Sequence, residues 1–118
     1  MTGFNKKARL LTPADFKRVF DAPDQRSVDN MFTLLARKNE LGHPRLGMAI
    51  TKKRLKRSVD RNRVKRLIRE TFREQFERLG NIDIIVMNRN AVPGAENPVL
   101  FQSLDKHCSR LIKRCKKS

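Results

Sequence analysis

Apolar positions recur at helical spacing in three stretches of the chain and at strand spacing in three others. Phe16, Val19 and Phe20 share one face of a stretch that opens on Thr12-Pro13-Ala14-Asp15. A hydroxyl cap, a proline in the first turn and a carboxylate three residues after the cap are helix-start chemistry. Pro23 ends that element. MFTLLAR (31–37) and RLGMAIT (45–51) read as strands, and the turn-forming NELGHP between them predicts that they pair as a hairpin. A weaker extended piece is expected over 25–28. A second helix should run from a cap at Ser58 to about Leu79, closed by Gly80-Asn81.

IDIIVM (82–87) is the most strand-like run, and its near-continuous apolarity predicts burial on both faces. Asn97-Pro98 restarts a helix whose Leu100, Phe101, Leu104, Cys108, Leu111, Ile112 and Cys115 form one stripe. Beyond it the tail is expected to fray, and residues 1–8 and 116–118 to be flexible. The order α-β-β(-β)-α-β-α predicts an α+β fold, a two-layer sandwich of one sheet and a helical layer. At 118 residues the chain suits a single domain with one core.

Charge narrows the function. The chain carries 28 Lys and Arg against 12 Asp and Glu, a net +16, and such a field recruits polyanions by counterion release. No run approaches the ~18 apolar residues of a membrane span, and the first 16 residues do not read as a signal peptide. No membrane or small-molecule partner is expected. Cys108 and Cys115 lie two helical turns apart, about 10 Å, too far for a disulfide within one helix. A reduced, cytoplasmic protein is the expectation.

The charge concentrates in the second helix and its approach. Residues 52–73 hold eleven Lys or Arg and two acids, nine of the net sixteen positive charges. At 100° per residue, Val64, Leu67, Ile68, Thr71, Phe72, Gln75 and Leu79 form the face turned to the sheet. Asn62, Arg66, Arg69 and Arg73 cluster opposite, flanked by Arg63 and Lys65, with Arg61 in the first turn. A solvated face mixes signs through i,i+4 pairs. Here Arg66–Glu70 and Arg73–Glu77 can form such pairs, but most of the cations lack an acid partner. Arginine's forked donors suit phosphate, and the neutral Asn62 can bond backbone or base edges. The chemistry is that of a nucleic-acid-gripping face.

RLGMAITKK followed by RNRVKRLIRE resembles the protein subunit of bacterial ribonuclease P, whose signature is an Arg-Asn-Arg helix after a strand and a basic loop. LLTPADFKRVF resembles that family's first helix, LGHPRLGMAITKK its hairpin and IDIIVM its last strand, so nearly the whole chain is covered. The resemblance implies that a partner RNA carries the active site and Mg²⁺, while the protein helps to hold precursor tRNA by its 5′ leader. It implies docking on the catalytic RNA through Arg61, Asn62, Arg63, Lys65, Arg66, Arg69 and Arg73. It also implies a left-handed β-α-β crossover through the Arg-Asn-Arg helix, where pattern alone favours the right-handed one. The leader would lie in a cleft between the first helix and the sheet, near Arg9, Phe16, Lys17, Arg18, Phe20, Thr33, Leu35, Lys52 and Lys53.

Phe16, Val19 and Phe20 on a short helix are equally compatible with core. The alternation in MFTLLAR turns Thr33 and Leu35 to the face the first helix must cover, and a groove with a Phe edge and a basic rim suits single-stranded RNA. Bases stack on such rings for about 1–3 kcal/mol each. Many relatives carry an aromatic at the position of Leu35, where this chain can offer only apolar contact.

No protein active site or metal site is expected. Cleavage of a phosphodiester by protein groups needs clustered carboxylates for metal or a His pair. Glu70, Glu74 and Glu77 read as ion-pair partners of neighbouring Arg, Asp83 stands alone in an apolar strand, and His43 and His107 fall in different elements. The alternative reading is a non-enzymatic RNA-binding protein, such as a ribosomal protein.

Overall fold

The computed structural model describes residues 11–89 and 92–117. Helix α1 (Pro13–Asp21) starts as its sequence predicts: Thr12 Oγ1 accepts the Asp15 N–H at 3.2 Å and donates to Asp15 Oδ2 at 2.7 Å. Strands β1 (Gln25–Val28), β2 (Phe32–Lys38) and β3 (Arg45–Ala49) follow. Helix α2 (Ser58–Glu74) and a short turn of helix α3 (Phe76–Leu79) lead into β4 (Ile82–Asn88), and α4 (Asn97–Lys117) completes the order.

The sheet runs β1-β2-β4-β3, and this overturns the expected hairpin. β2 and β3 do not pair. β4 lies between them, antiparallel to β2 and parallel to β3. The tight hairpin is β1–β2, closed at Asp29, whose Oδ1 accepts the N–H groups of Met31 and Phe32 at 2.8 and 2.9 Å. A strand apolar on both faces is best satisfied with a neighbour on each side, and β4 is buried at every residue but Met87. The β3–β4 connection is therefore a parallel crossover through α2.

The two sheet faces differ in cover. Phe32, Leu34, Leu46, Ile84 and Val86 pack against α2 and α4 in the main core with Val64, Leu67, Ile68, Phe72, Leu104 and Leu111. On the other face, among the described residues, α1 covers Leu35 and Ile85 through Val19, with Leu11, Phe16, Ala49 and Met87 around them.

Three boundaries differ from expectation. Arg57, not Ser58, is the N-cap of α2, and it makes no side-chain cap bond. Arg61 ties that entry instead, donating from Nη1 to the carbonyls of Leu55 (3.0 Å) and Lys56 (2.7 Å). The helix breaks at Gln75 before α3, and α4 continues to Lys117, past the expected end. Arg9 and residues 1–8 lie outside the described residues, as does Ser118.

Candidate nucleic-acid interface

The outer face of α2 is the first component. Val64, Leu67, Ile68, Thr71 and Phe72 are buried, which fixes the helix on the sheet and turns the opposite residues outward. Asn62, Arg66 and Arg73 are exposed, and Lys65 and Arg69 are half-buried. A shallow groove of about 460 Å³ runs along Val59, Asp60, Asn62, Arg63, Arg66 and Arg69. Glu70 and Glu77 do not act as the expected partners: among the described residues neither forms an ion pair with Arg66 or Arg73. The cations of this face are left for an external anion.

Two members of the predicted set also face inward. Arg61 holds the basic loop, as above. Arg63 donates from Nη1 to Asn97 Oδ1 at 2.6 Å, which clamps α2 to the start of α4. Lys53 lines a groove of about 690 Å³ with Arg54, Lys56, Arg57, Arg63 and the turn Pro93–Glu96, beside the start of α2. Lys52 is exposed on the same loop.

The second component is the cleft between α1 and the sheet. Phe16 and Phe20 stack with centroids 6.1 Å apart and planes 21° from parallel. Their surroundings differ. Phe16 lies over Gly47, where an added Cβ would sit 2.7 Å from Phe16 Cε2, so the ring is partly core. Phe20 is 46% exposed and free to take a base. Thr33 and Leu35 form the floor and are buried, with Arg89 Nη1 3.5 Å from Thr33 Oγ1. Lys17 is paired to Asp21 at 2.7 Å on the surface. Arg18 reaches the sheet, its Nη2 3.1 Å from Asp83 Oδ2.

Asp83 is the residue that sequence reading missed. Far from standing alone, it is fully buried and bonded by Arg45 at both oxygens, by Arg18 and by Asn39 Nδ2 at 2.8 Å. Arg45 also donates to Asp15 Oδ2 at 2.7 Å. The Thr12 hydroxyl, opposed by burial and aided by Arg45, holds the Asp15 carboxyl below its ordinary pKa. The network pins α1 over the cleft end of the sheet. The signal was present: a carboxylate inside an apolar strand needs a cationic partner, and Arg45 pairs with it in the β3–β4 register.

His43 stacks near Phe76 (6.4 Å), while His107 is buried under β1, so the two histidines do not form a pair. Among the described residues no three His, Cys, Asp or Glu gather as metal ligands. No helix there is long and apolar enough to cross a membrane.

Comparison with known proteins decides the family. The sequence profile described as Ribonuclease P matches residues 4–112. The chain belongs to the ribonuclease P protein family. It is 45% identical to the ribonuclease P protein component of Methylococcus capsulatus over 96% of this chain and 88% of that protein. It is 47% identical to that of Histophilus somni strain 2336, over 98% and 97%. Among solved structures, the Staphylococcus aureus RNase P protein superposes with a TM-score of 0.78 at 30% identity, covering 89% of this chain and 94% of that one. The Thermotoga maritima RNase P protein gives 0.75 at 26%, covering 86% and 96%. The expected family and the α+β sandwich are thus both found, and the chain is an RNA-binding protein component of ribonuclease P, in tRNA processing. A ribosomal role is not favoured.

Proposed function

We propose that this chain is the non-catalytic subunit of an RNA-based endoribonuclease that removes the 5′ leader of precursor tRNA in the cytoplasm. The outer face of α2 docks on the catalytic RNA through Asn62, Lys65, Arg66, Arg69 and Arg73. Arg61 and Arg63 shape the helix entry and add charge at its edge. The leader lies along the α1 cleft, with Phe20 stacking a base, Phe16 backing it, Leu35 and Thr33 beneath and the basic loop at Lys52 and Lys53 nearby. Arg9 is assigned to the same cleft on the family resemblance. Mg²⁺ and the cleavage step are assigned to the RNA on the family resemblance, and the buried carboxylate of the sheet, Asp83, is consumed in pairing with Arg45.

The observation that carries this reading is the row of unpaired cations on α2, held outward by a buried apolar stripe. Reconstitution tests it. Added to a catalytic ribonuclease P RNA at low Mg²⁺, the chain should stimulate leader release from precursor tRNA. Tight RNA binding without stimulation would return the reading to a purely RNA-binding protein.

A further inference from the structure

A second concentration of charge has no role in the site above. Residues 106–117 carry six Lys or Arg and no acid, and with 52–73 they account for all but one of the net positive charges. Lys106, Arg110, Lys113 and Arg114 are exposed on α4, at spacings that put them on one side of a helix, over about 12 Å of its axis. The apolar stripe of α4, with Leu104, Cys108 and Leu111, is consumed by the core, so among the described side chains this stripe is not free for a membrane surface.

Two of these cations are laid against the edge strand. Arg114 Nη1 donates to the Arg26 carbonyl at 2.6 Å, and Arg110 Nη1 donates to Ser27 Oγ at 3.2 Å. Each guanidinium has five N–H donors, so both keep donors for an external phosphate while held in place. Arg26 continues the surface around the edge of the sheet. It is exposed and stands opposite Leu35 in the β1–β2 register, so its side chain lies on the cleft face. Val28, 41% exposed, stands beside Thr33 in the same way. Among the described residues none of Arg26, Lys106, Arg110, Lys113 or Arg114 forms an ion pair. The charged surface therefore begins at the cleft floor and wraps over β1 onto α4, at the sheet edge opposite β3.

We propose that this ledge is a phosphate track for the single-stranded leader, taking the nucleotides that run out of the α1 cleft across β1. The inference rests on the cleft holding the leader. It makes precursor affinity depend on leader length through residues outside the cleft.

The test uses the reconstituted holoenzyme with precursor tRNAs carrying leaders of about four and about sixteen nucleotides, the range of single-strand sites on small folds. In Arg26→Gln/Lys106→Gln/Lys113→Gln, affinity for the long leader should fall about tenfold, with its salt slope reduced by roughly 0.7 for each phosphate no longer neutralised. Affinity for the short leader and for mature tRNA should hold. Arg110→Gln/Arg114→Gln should do the same, and unfolding curves of each variant report whether the fold is intact. Equal losses for long leader, short leader and mature tRNA would assign the ledge to the tRNA body or the catalytic RNA and overturn the proposal. Unchanged affinity for the long leader would also overturn it. Phe20→Ala with the short leader tests the cleft separately, so a failed cleft and a failed ledge give different results.

Discussion

Arg45 holds Asp83 by both carboxylate oxygens, its Nε 2.9 Å from Oδ1 and its Nη2 2.8 Å from Oδ2. Asp83 is fully buried, so removing its main cation leaves a charge without adequate compensation. Arg45→Met should destabilise the protein by about 3–5 kcal/mol, the usual loss when one partner of a buried pair is deleted. Lys17→Ala, which breaks an exposed pair with Asp21, should change stability by less than about 1 kcal/mol. Urea unfolding of the two variants checks the contrast. Similar small losses would mean that Arg18 and Asn39 suffice to hold Asp83.

Gly47 is set by space. A methyl there would meet Phe16 Cε2 at 2.7 Å and Leu11 Cδ1 at 2.9 Å, so these side chains must shift. Gly47→Ala should destabilise by roughly 1–3 kcal/mol, the range for overpacking. It should also weaken precursor tRNA binding more than catalytic-RNA binding, because the displaced ring lines the cleft. Parallel titrations with the two RNAs measure that split.

Phe20 and Phe16 divide the cleft's apolar work. Phe20→Ala should lower affinity for precursor tRNA by about 1–3 kcal/mol, one stacked base, with mature tRNA and thermal stability little changed. Phe16→Ala should reduce both precursor binding and stability, since its ring also packs on Gly47. Equal loss for precursor and mature tRNA with Phe20→Ala would take the leader out of this cleft.

Arg66 and Arg69 have no ion-pair partner among the described residues. Replacing both with Ala should leave the fold within about 0.5 kcal/mol of the parent. Binding to the catalytic RNA should weaken, and the slope of log K against log salt should flatten by roughly 0.9 for each duplex phosphate set free. A slope that does not change would remove α2 from the interface.

The seam between β1 and α4 should fail in acid. Burial holds the His107 imidazole below its ordinary pKa, against the opposing pull of Asp29. Nδ1 lies 2.6 Å from Ser27 Oγ, Nε2 3.1 Å from Asp29 Oδ2, and Arg110 faces the ring from the same helix. The folded state thus binds fewer protons here than the unfolded one, and stability should drop as pH falls below about 6.5. Asp29 extends the loss. Burial alone would raise its carboxyl, but hydrogen bonds from Ser103, the Phe32 and Met31 N–H groups and His107 together bring it to about 2. Its contribution is complete above its ordinary value of 3.8 and fades as pH falls towards 2. Urea midpoints at pH 7, 5 and 3 follow both steps, and His107→Gln should remove the first and shrink the second, since Asp29 then loses one of its donors.

The elements were legible where local chemistry matched the global outcome. Thr12-Pro13-Ala14-Asp15 gave the start of α1, and the apolar stripe of α2 gave its buried side. The weak extended piece at Gln25–Val28 is β1. The strand order was not legible, because NELGHP supplies a turn without specifying a partner. β3 crosses through α2 and joins β4 because β4 needs cover on both edges. Phe16, Lys17, Arg18 and Phe20 lie on α1 with Thr33 and Leu35 beneath, whereas Lys53 lines the groove beside the start of α2. The partner of Arg18 was not legible, because it is Asp83, 65 positions distant in the chain. Cys108 behaved as its stripe position implied, buried in the core with burial pushing its thiol up to about 12, an inert group.

The central place of β4 dictates an order of folding during synthesis. Among the described strands β3 has no sheet partner until residues 82–88 have left the ribosome, because the strand it pairs with is β4. The β1–β2 hairpin can form early, yet its apolar face must wait for the same strand. Between those moments the basic helix is already made, with its apolar stripe uncovered and its arginines exposed. Only the emergence of 82–88 lets the chain close, and RNA met before then meets an unfinished surface.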